Sequence, residues 1–212
     1  LRDILAIYPG YEQADVLIVL NYLRQVNLAG AIQAAREYLE RNPSSATAYY
    51  LMGRAHLASE DRQNAMTAFN KALELRPGDP GAGSSLADIA LSDGDYEAAR
   101  NYYKQVLEHY PDHIQTRLKV AASYAVEGKE QEMLDSLQST LTAYPRAMEP
   151  RLVKARYHLA KGQLEKVMPL IDELTEDQKE HPDALLTVAA FELAVSRYNQ
   201  ALVTLGRLLK DR

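Results

Sequence analysis

Tyr49-Tyr50-Leu51-Met52-Gly53-Arg54-Ala55-His56, followed by Ala65-Met66-Thr67-Ala68-Phe69-Asn70-Lys71-Ala72 and then Pro77, sets the pattern for the whole chain. Tyr49, Met52, Gly53 and His56 stand at i, i+3, i+4 and i+7, the spacing of one helix face. Ser59-Glu60-Asp61 interrupts that periodicity with turn formers. Pro77 closes the second run, because proline lacks an amide donor and cannot continue a helix. The stretch therefore reads as two short helices folded back on each other across a tight turn.

The unit recurs. Prolines stand at 9, 43, 77, 111 and 145, each 34 residues from the last, and 34 is a recognised repeat length. Val19, Gly53, Ala87, Ala121, Ala155 and Ala189 form one column at this step, and Ala31, Ala65, Ala99, Met133, Val167 and Ala201 a second. A third holds Ala35, Phe69, Tyr103, Leu137, Ile171 and Leu205. The first two columns are mostly small, which lets helices approach closely, and the third is mostly large and apolar, which fills the space between pairs. Gly94, Gly128 and Gly162 keep the period as well and suit the left-handed residue that ends a helix.

Tyr49-x-x-Met52-Gly53-x-x-His56 with Ala65-x-x-x-Phe69-x-x-Ala72 and Pro77 resembles the tetratricopeptide repeat consensus, and Leu86, Ala87, Ala99, Tyr103 and Pro111 match it again. The resemblance covers residues 1–212 as a single array. It implies an all-α superhelical solenoid of antiparallel helix pairs with a 34-residue period. Residues 1–11 are the expected second helix of a truncated preceding repeat, and repeats start near 12, 46, 80, 114, 148 and 182. Leu1 falls in mid-helix on this reading, so the chain is expected to be a segment of a longer protein.

Two departures stand out. The proline expected at 179 is Lys179, and Pro182 comes three residues late, so a longer second helix from Leu164 to about Lys179 is expected there. Position four of the repeat, typically Trp or Tyr, is Asp15, Gly83, Arg117 and Arg151 in four units, where looser packing is expected. Lys154 also interrupts an otherwise apolar column.

Composition narrows the function. The 212 residues are 47% hydrophobic and 25% charged, enough to bury a core, with fourteen Tyr, two Phe and no Trp. A formal charge of −5 and the lack of any basic run argue against nucleic-acid partners. No stretch is long and apolar enough to span a membrane. The absence of cysteine rules out disulfides, thiolate zinc sites and a cysteine nucleophile.

No motif for chemistry emerges, so no catalytic residue, metal or cofactor is expected, and the chain does not read as an enzyme. His56 and His158 share a column with Tyr22 and Tyr124 and read as ring-sized packing residues. His109 and His113 straddle Pro111 and do not share a helix face, and His181 sits in a linker. The acidic turn Ser92-Asp93-Gly94-Asp95 lacks the ligand pattern of a calcium loop and reads as a helix cap.

By resemblance, the first helix of each pair lines a concave groove. Its candidate partner-binding residues are Tyr50, Arg54, Leu57, Asp88, Leu118, Leu152 and Arg156. The face they form is largely aliphatic, with Tyr50, Arg54 and Arg156 as polar anchors of the types enriched at hot spots. The same leucines would also serve to pack neighbouring first helices, and the arginines to solvate the surface. The Lys and Asn clamp of chaperone-binding members is missing, so an apolar peptide or helix is the expected occupant.

The resulting expectation is a protein-interaction scaffold within a larger bacterial envelope protein. The wording of Ala72-Leu73-Glu74-Leu75-Arg76-Pro77-Gly78-Asp79 resembles the tetratricopeptide lipoproteins that accompany exosortase (PEP-CTERM) protein sorting and exopolysaccharide production. That resemblance implies a periplasmic or outer-membrane-tethered location. Two other readings stay open: a self-associating array, and a substrate-presenting module of an enzyme whose catalytic domain lies elsewhere.

Overall fold

The computed structural model describes residues 11–209, so the helix expected at 1–11 lies outside the described residues apart from Tyr11. The chain forms two compact units, residues 1–116 and 117–212. Unit 1 holds α1 (Glu12–Arg24), α2 (Leu28–Arg41), α3 (Ala46–Ala58), α4 (Arg62–Leu75), α5 (Pro80–Ser92) and α6 (Tyr96–His109). Helix α7 (Ile114–Glu127) begins at the boundary. Unit 2 continues with α8 (Glu130–Ala143), α9 (Met148–Ala160), a 3₁₀ turn at Leu164–Lys166, α10 (Val167–Asp172), α11 (Glu176–Lys179), α12 (Pro182–Ala194) and α13 (Tyr198–Leu208). Helices pair in sequence order, and among the described residues there is no strand. This is the tetratricopeptide solenoid expected from the repeat.

Each pair is joined by the same turn. A residue with φ between 57° and 82° recurs at Val26, Glu60, Gly94, Gly128, Gly162 and Ser196, one every 34 residues. The next amide bonds back across it to the first helix: Asn27 N to Tyr22 O (3.0 Å), Asp61 N to His56 O (2.9 Å), Asp95 N to Ala90 O (2.9 Å), and likewise at Lys129, Gln163 and Arg197. This 6→1 closure satisfies carbonyls that a helix end otherwise leaves open. Asn27, Asp61 and Asp95 then cap the second helices of unit 1, accepting from Gly30 N, Asn64 N and Ala98 N. The acidic turn at 92–95 is thus a cap.

The periodic prolines act at the other junction. In each of the four turns Asn42–Ser45, Arg76–Asp79, Tyr110–His113 and Tyr144–Ala147, proline is the second residue and the fourth amide returns to the first carbonyl at 3.0–3.1 Å. Ser45, Asp79 and His113 then accept from the third amide of the helix that follows. His113 is therefore a helix cap, while His109 Nδ1 lies 3.1 Å from Gln105 O.

The three columns are the core. All of the small-residue columns and Ala35, Phe69, Tyr103, Leu137 and Ile171 are buried. Two approaches are especially tight: a Cβ at Gly83 would lie 2.5 Å from Val106, and one at Gly53 would lie 2.6 Å from the buried Phe69 ring. Position four is not loose. Asp15 is buried and paired with Arg41, and Arg117 stacks over Tyr144 at 5.0 Å. Arg151, only 4% exposed, donates to Glu173 Oε2 (2.9 Å), Pro145 O (2.7 Å) and Ala147 O (3.2 Å). Buried charge with full hydrogen bonding fills the space an aromatic ring would take. Lys154 stays on its column by donating to Gln138 Oε1 at 2.6 Å.

The long helix expected from Leu164 to Lys179 does not form. Pro169 cannot donate an amide and clashes with a helical carbonyl four residues back, so the regular helix starts only at Val167 and ends at Asp172. Thr175 and Gln178 form a capping box that starts the separate one-turn α11. Between the two, Leu174 is buried and Arg151 grips Glu173.

Ion pairs also cross between successive repeats. Arg62, at the start of α4, pairs with Asp93 and donates to Ile89 O (2.9 Å) at the end of α5. At the equivalent position two repeats later, Glu130 pairs with Lys161 and accepts from Tyr157 Oη (3.0 Å).

Two stability outcomes follow from these geometries. Val26 carries a β-branched side chain at φ 57°, which costs an L-residue about 1–2 kcal/mol. Val26→Gly is expected to stabilise the chain by about 1 kcal/mol, read as a rise in urea midpoint at unchanged slope. Gly53→Ala is expected to destabilise by about 1–3 kcal/mol through overpacking, and Phe69→Leu in the same chain should recover part of that loss. A Gly53→Ala chain as stable as the parent would show that the ring yields freely.

Candidate functional site

In unit 1 the candidate residues stand on α3 and α5. Arg54 and Leu57 are exposed one turn apart on α3. Tyr50 is half-buried: its ring is tilted against Phe69 at 6.1 Å, and Gly81 of α5 lies so close that a Cβ there would be 2.8 Å from the Tyr50 Cζ. The guanidinium of Arg54 lies 5.8 Å from the centre of that ring. Asp88 is exposed on α5 and accepts from Tyr103 Oη at 3.0 Å. Burial first, and the Asp88 carboxylate second, push the Tyr103 hydroxyl above its ordinary pKa. Tyr103 thus remains a donor that orients Asp88 from inside the core.

In unit 2 the same column positions fare differently. Arg156 is exposed on α9 and Leu118 is half-buried against Ala121 and Leu137. Leu152 is 1% exposed, covered by Val167, Ile171, Leu174 and Ala184. It belongs to the core and presents no side chain to a partner, because Leu174 of the broken segment folds over it. The exposed apolar side chains on the first helices of unit 2 are instead Val126 (65%), Val153 (37%), Leu186 (51%) and Leu193 (48%), and Tyr198, Leu202 and Val203 are exposed on the second helix α13.

The outer side of unit 1 holds a feature that column reading missed. Two adjoining open depressions, about 580 and 440 Å³, share a floor of Tyr49, Met52, His56 and Asn64 between walls from α2 and α4. Tyr49, Met52 and His56 lie at i, i+3 and i+7, the pattern that signalled a core face. The signal was correct for burial on one edge and silent about the gap between successive second helices. His56 Nδ1 lies 3.1 Å from Asp61 Oδ2, and Asn64 Nδ2 donates to the same oxygen at 2.7 Å. His158 makes the equivalent contact with Gln163 Oε1 at 2.7 Å. The paired histidine column is therefore a packing column that also ties the first helix to the turn beyond it.

A family model described as the cytochrome c-type biogenesis protein H TPR domain matches residues 21–152. The chain belongs to that tetratricopeptide-repeat family. No curated protein matches it. Among solved structures, pilF of Pseudomonas aeruginosa is 16% identical with a TM-score of 0.65, covering 91% of this chain and 87% of its own. PilW, described as a widely conserved type IV pilus biogenesis factor, is 17% identical with a TM-score of 0.64, covering 94% and 92%. A tetratricopeptide repeat protein from Parabacteroides merdae is 13% identical with a TM-score of 0.60, covering 93% and 78%. At these identities the likeness is one of fold. No helix among the described residues of this tetratricopeptide-repeat chain is long and apolar enough to cross a membrane.

The turn at Asp61 gives a pH-dependent outcome. Hydrogen bonds from Asn64, then the His56 ring, hold the Asp61 carboxyl below its ordinary pKa of about 3.9. A carboxyl depressed in the folded state stabilises above its unfolded pKa, and that contribution is lost as pH falls through the folded value. The stability gap between the parent and Asp61→Asn, measured by urea unfolding, should be present at pH 6 and close below about pH 4.

Proposed function

We propose that this chain is a protein-docking scaffold whose partner segments lie against the exposed faces of the first helices. The observation that carries the reading is the pairing of exposed Arg54 and Leu57 on α3, beside a Tyr50 ring locked by Phe69 and an Asp88 oriented by Tyr103. Rigid aromatic and arginine groups next to exposed aliphatic surface are the composition of interaction hot spots. Side chains held in place before binding lose little entropy when a partner arrives. In unit 2 exposed Leu186, Leu193 and Arg156 extend the same chemistry to other first helices.

The setting we infer is assembly in the bacterial envelope. Three leads favour it: the sequence resemblance to exosortase-associated lipoproteins, a family name concerned with cytochrome c-type biogenesis, and a structural relative described as a pilus biogenesis factor. A scaffold that gathers partners for such assembly needs no chemistry of its own.

Tyr50 is a poor residue to delete, since its ring also packs the core. Arg54 and Leu57 are clean probes because truncation at exposed positions leaves folding largely intact. A photo-crosslinking residue at Leu57 or Leu193, in cells expressing the full protein, is expected to yield partner adducts. Arg54→Ala should reduce the Leu57 adduct about tenfold at unchanged melting temperature. Adducts formed from Asn70 in the outer depression, and not from Leu57 or Leu193, would move the docking surface to that face and overturn the proposal.

A further inference from the structure

The first-helix face of unit 2 carries an isolated cation. Among the described residues the side chain of Arg156 makes no hydrogen bond, ion pair or ring contact. The equivalent positions on α7 and α12 are Ala122 and Ala190, both exposed and both too small to crowd or compensate it. The carboxylates of these faces, Glu149 and Asp183, stand seven residues before Arg156 and Ala190, about 10 Å along a helix axis. Arg54 in unit 1 differs, since its guanidinium lies over Tyr50 and the equivalent position on α5 is Asp88.

Exposed aliphatic side chains stand on the helix of Arg156 and on the first helix that follows. Val153 shares its helix, and Leu186 and Leu193 stand on α12, which packs directly against α9. A wholly apolar segment laid on this face would strip water from the guanidinium and leave it unpaired, which is costly. A segment bringing one carboxylate would meet a planar donor fork at a site of lowered dielectric, where charge-assisted hydrogen bonds are strong.

We propose that the unit 2 face selects protein segments that combine aliphatic side chains with a carboxylate, Arg156 taking the carboxylate and Leu186 and Leu193 taking the aliphatic groups. This rests on the first-helix docking reading and names the chemistry of the occupant.

A random twelve-residue peptide library displayed on phage, panned against the full chain, tests it directly. Parallel pannings use Arg156→Glu and the double variant Leu186→Ser with Leu193→Ser, each checked by circular dichroism. The parent is expected to enrich peptides with Asp or Glu beside Leu, Ile, Val or Phe. Arg156→Glu should shift that position to Lys or Arg, and a parent-selected peptide should bind Arg156→Gln about tenfold more weakly. Peptides that need Leu186 and Leu193 but show no acidic preference, and that ignore Arg156→Glu, would sink this inference and leave the docking face standing. Peptides indifferent to both sets, or no enrichment over bare support, would remove the docking reading of unit 2 and this inference with it.

Discussion

Within each pair a column of small, buried residues on the first helix faces the second, and the repeat is built around that close approach. At Gly53 the Phe69 ring occupies the volume a methyl group would need. Ala87, Ala121, Ala155 and Ala189 keep the same column small and buried in the later repeats. Small residues in this column leave room for a large one at the next, and Phe69 and Ile171 share core clusters with Ala82 and Ala184 of the repeats that follow. The turn enforces the arrangement, since its left-handed residue and 6→1 bond fix how the second helix leaves the first. Packing of pairs and exposure of the first-helix face both descend from this geometry.

The columns made most of this legible from the residues. Proline spacing located the junctions, small residues located the approach, and three glycines located half of the left-handed turns. Val26, Glu60 and Ser196 hold the same conformation without a residue type that announces it, because the tertiary contact between helices outweighs local preference. Position four shows a different limit. Asp15–Arg41 and Arg151–Glu173 join residues more than twenty apart, and a column read down the repeats sees neither partner. Pro169 was visible in the chain, yet the small-residue column ran through it in register and suggested continuity. The site was legible by residue type more than by exposure. The column that contains Leu118, Leu152 and Leu186 at the 34-residue step is exposed at Leu186, half-buried at Leu118 and buried at Leu152, since each depends on what the next segment lays over it.

The two units are also closed differently. In unit 1 Asn27, Asp61 and Asp95 cap the second helices, a contribution of about 1 kcal/mol each. In unit 2 the corresponding residues are Lys129, Gln163 and Arg197, and none provides a side-chain cap. The broken helix at 164–179 falls among these uncapped turns, held by Arg151, by Leu174 and by Gln178 donating to Arg146 O. Local stability in a repeat array need not be uniform, and the distribution of caps gives one physical source of unevenness.

The ion pairs between repeats carry a consequence for how such an array can change over generations. Arg62 faces Asp93, whereas two periods on Glu130 faces Lys161, so the sign is reversed at equivalent positions. Excising the two intervening repeats in register would keep every hydrophobic column aligned, yet it would set Arg62 against Lys161. Like charges at that junction disfavour the shortened array. The seams therefore bear an address as well as an adhesive, and the order of the repeats is written in it.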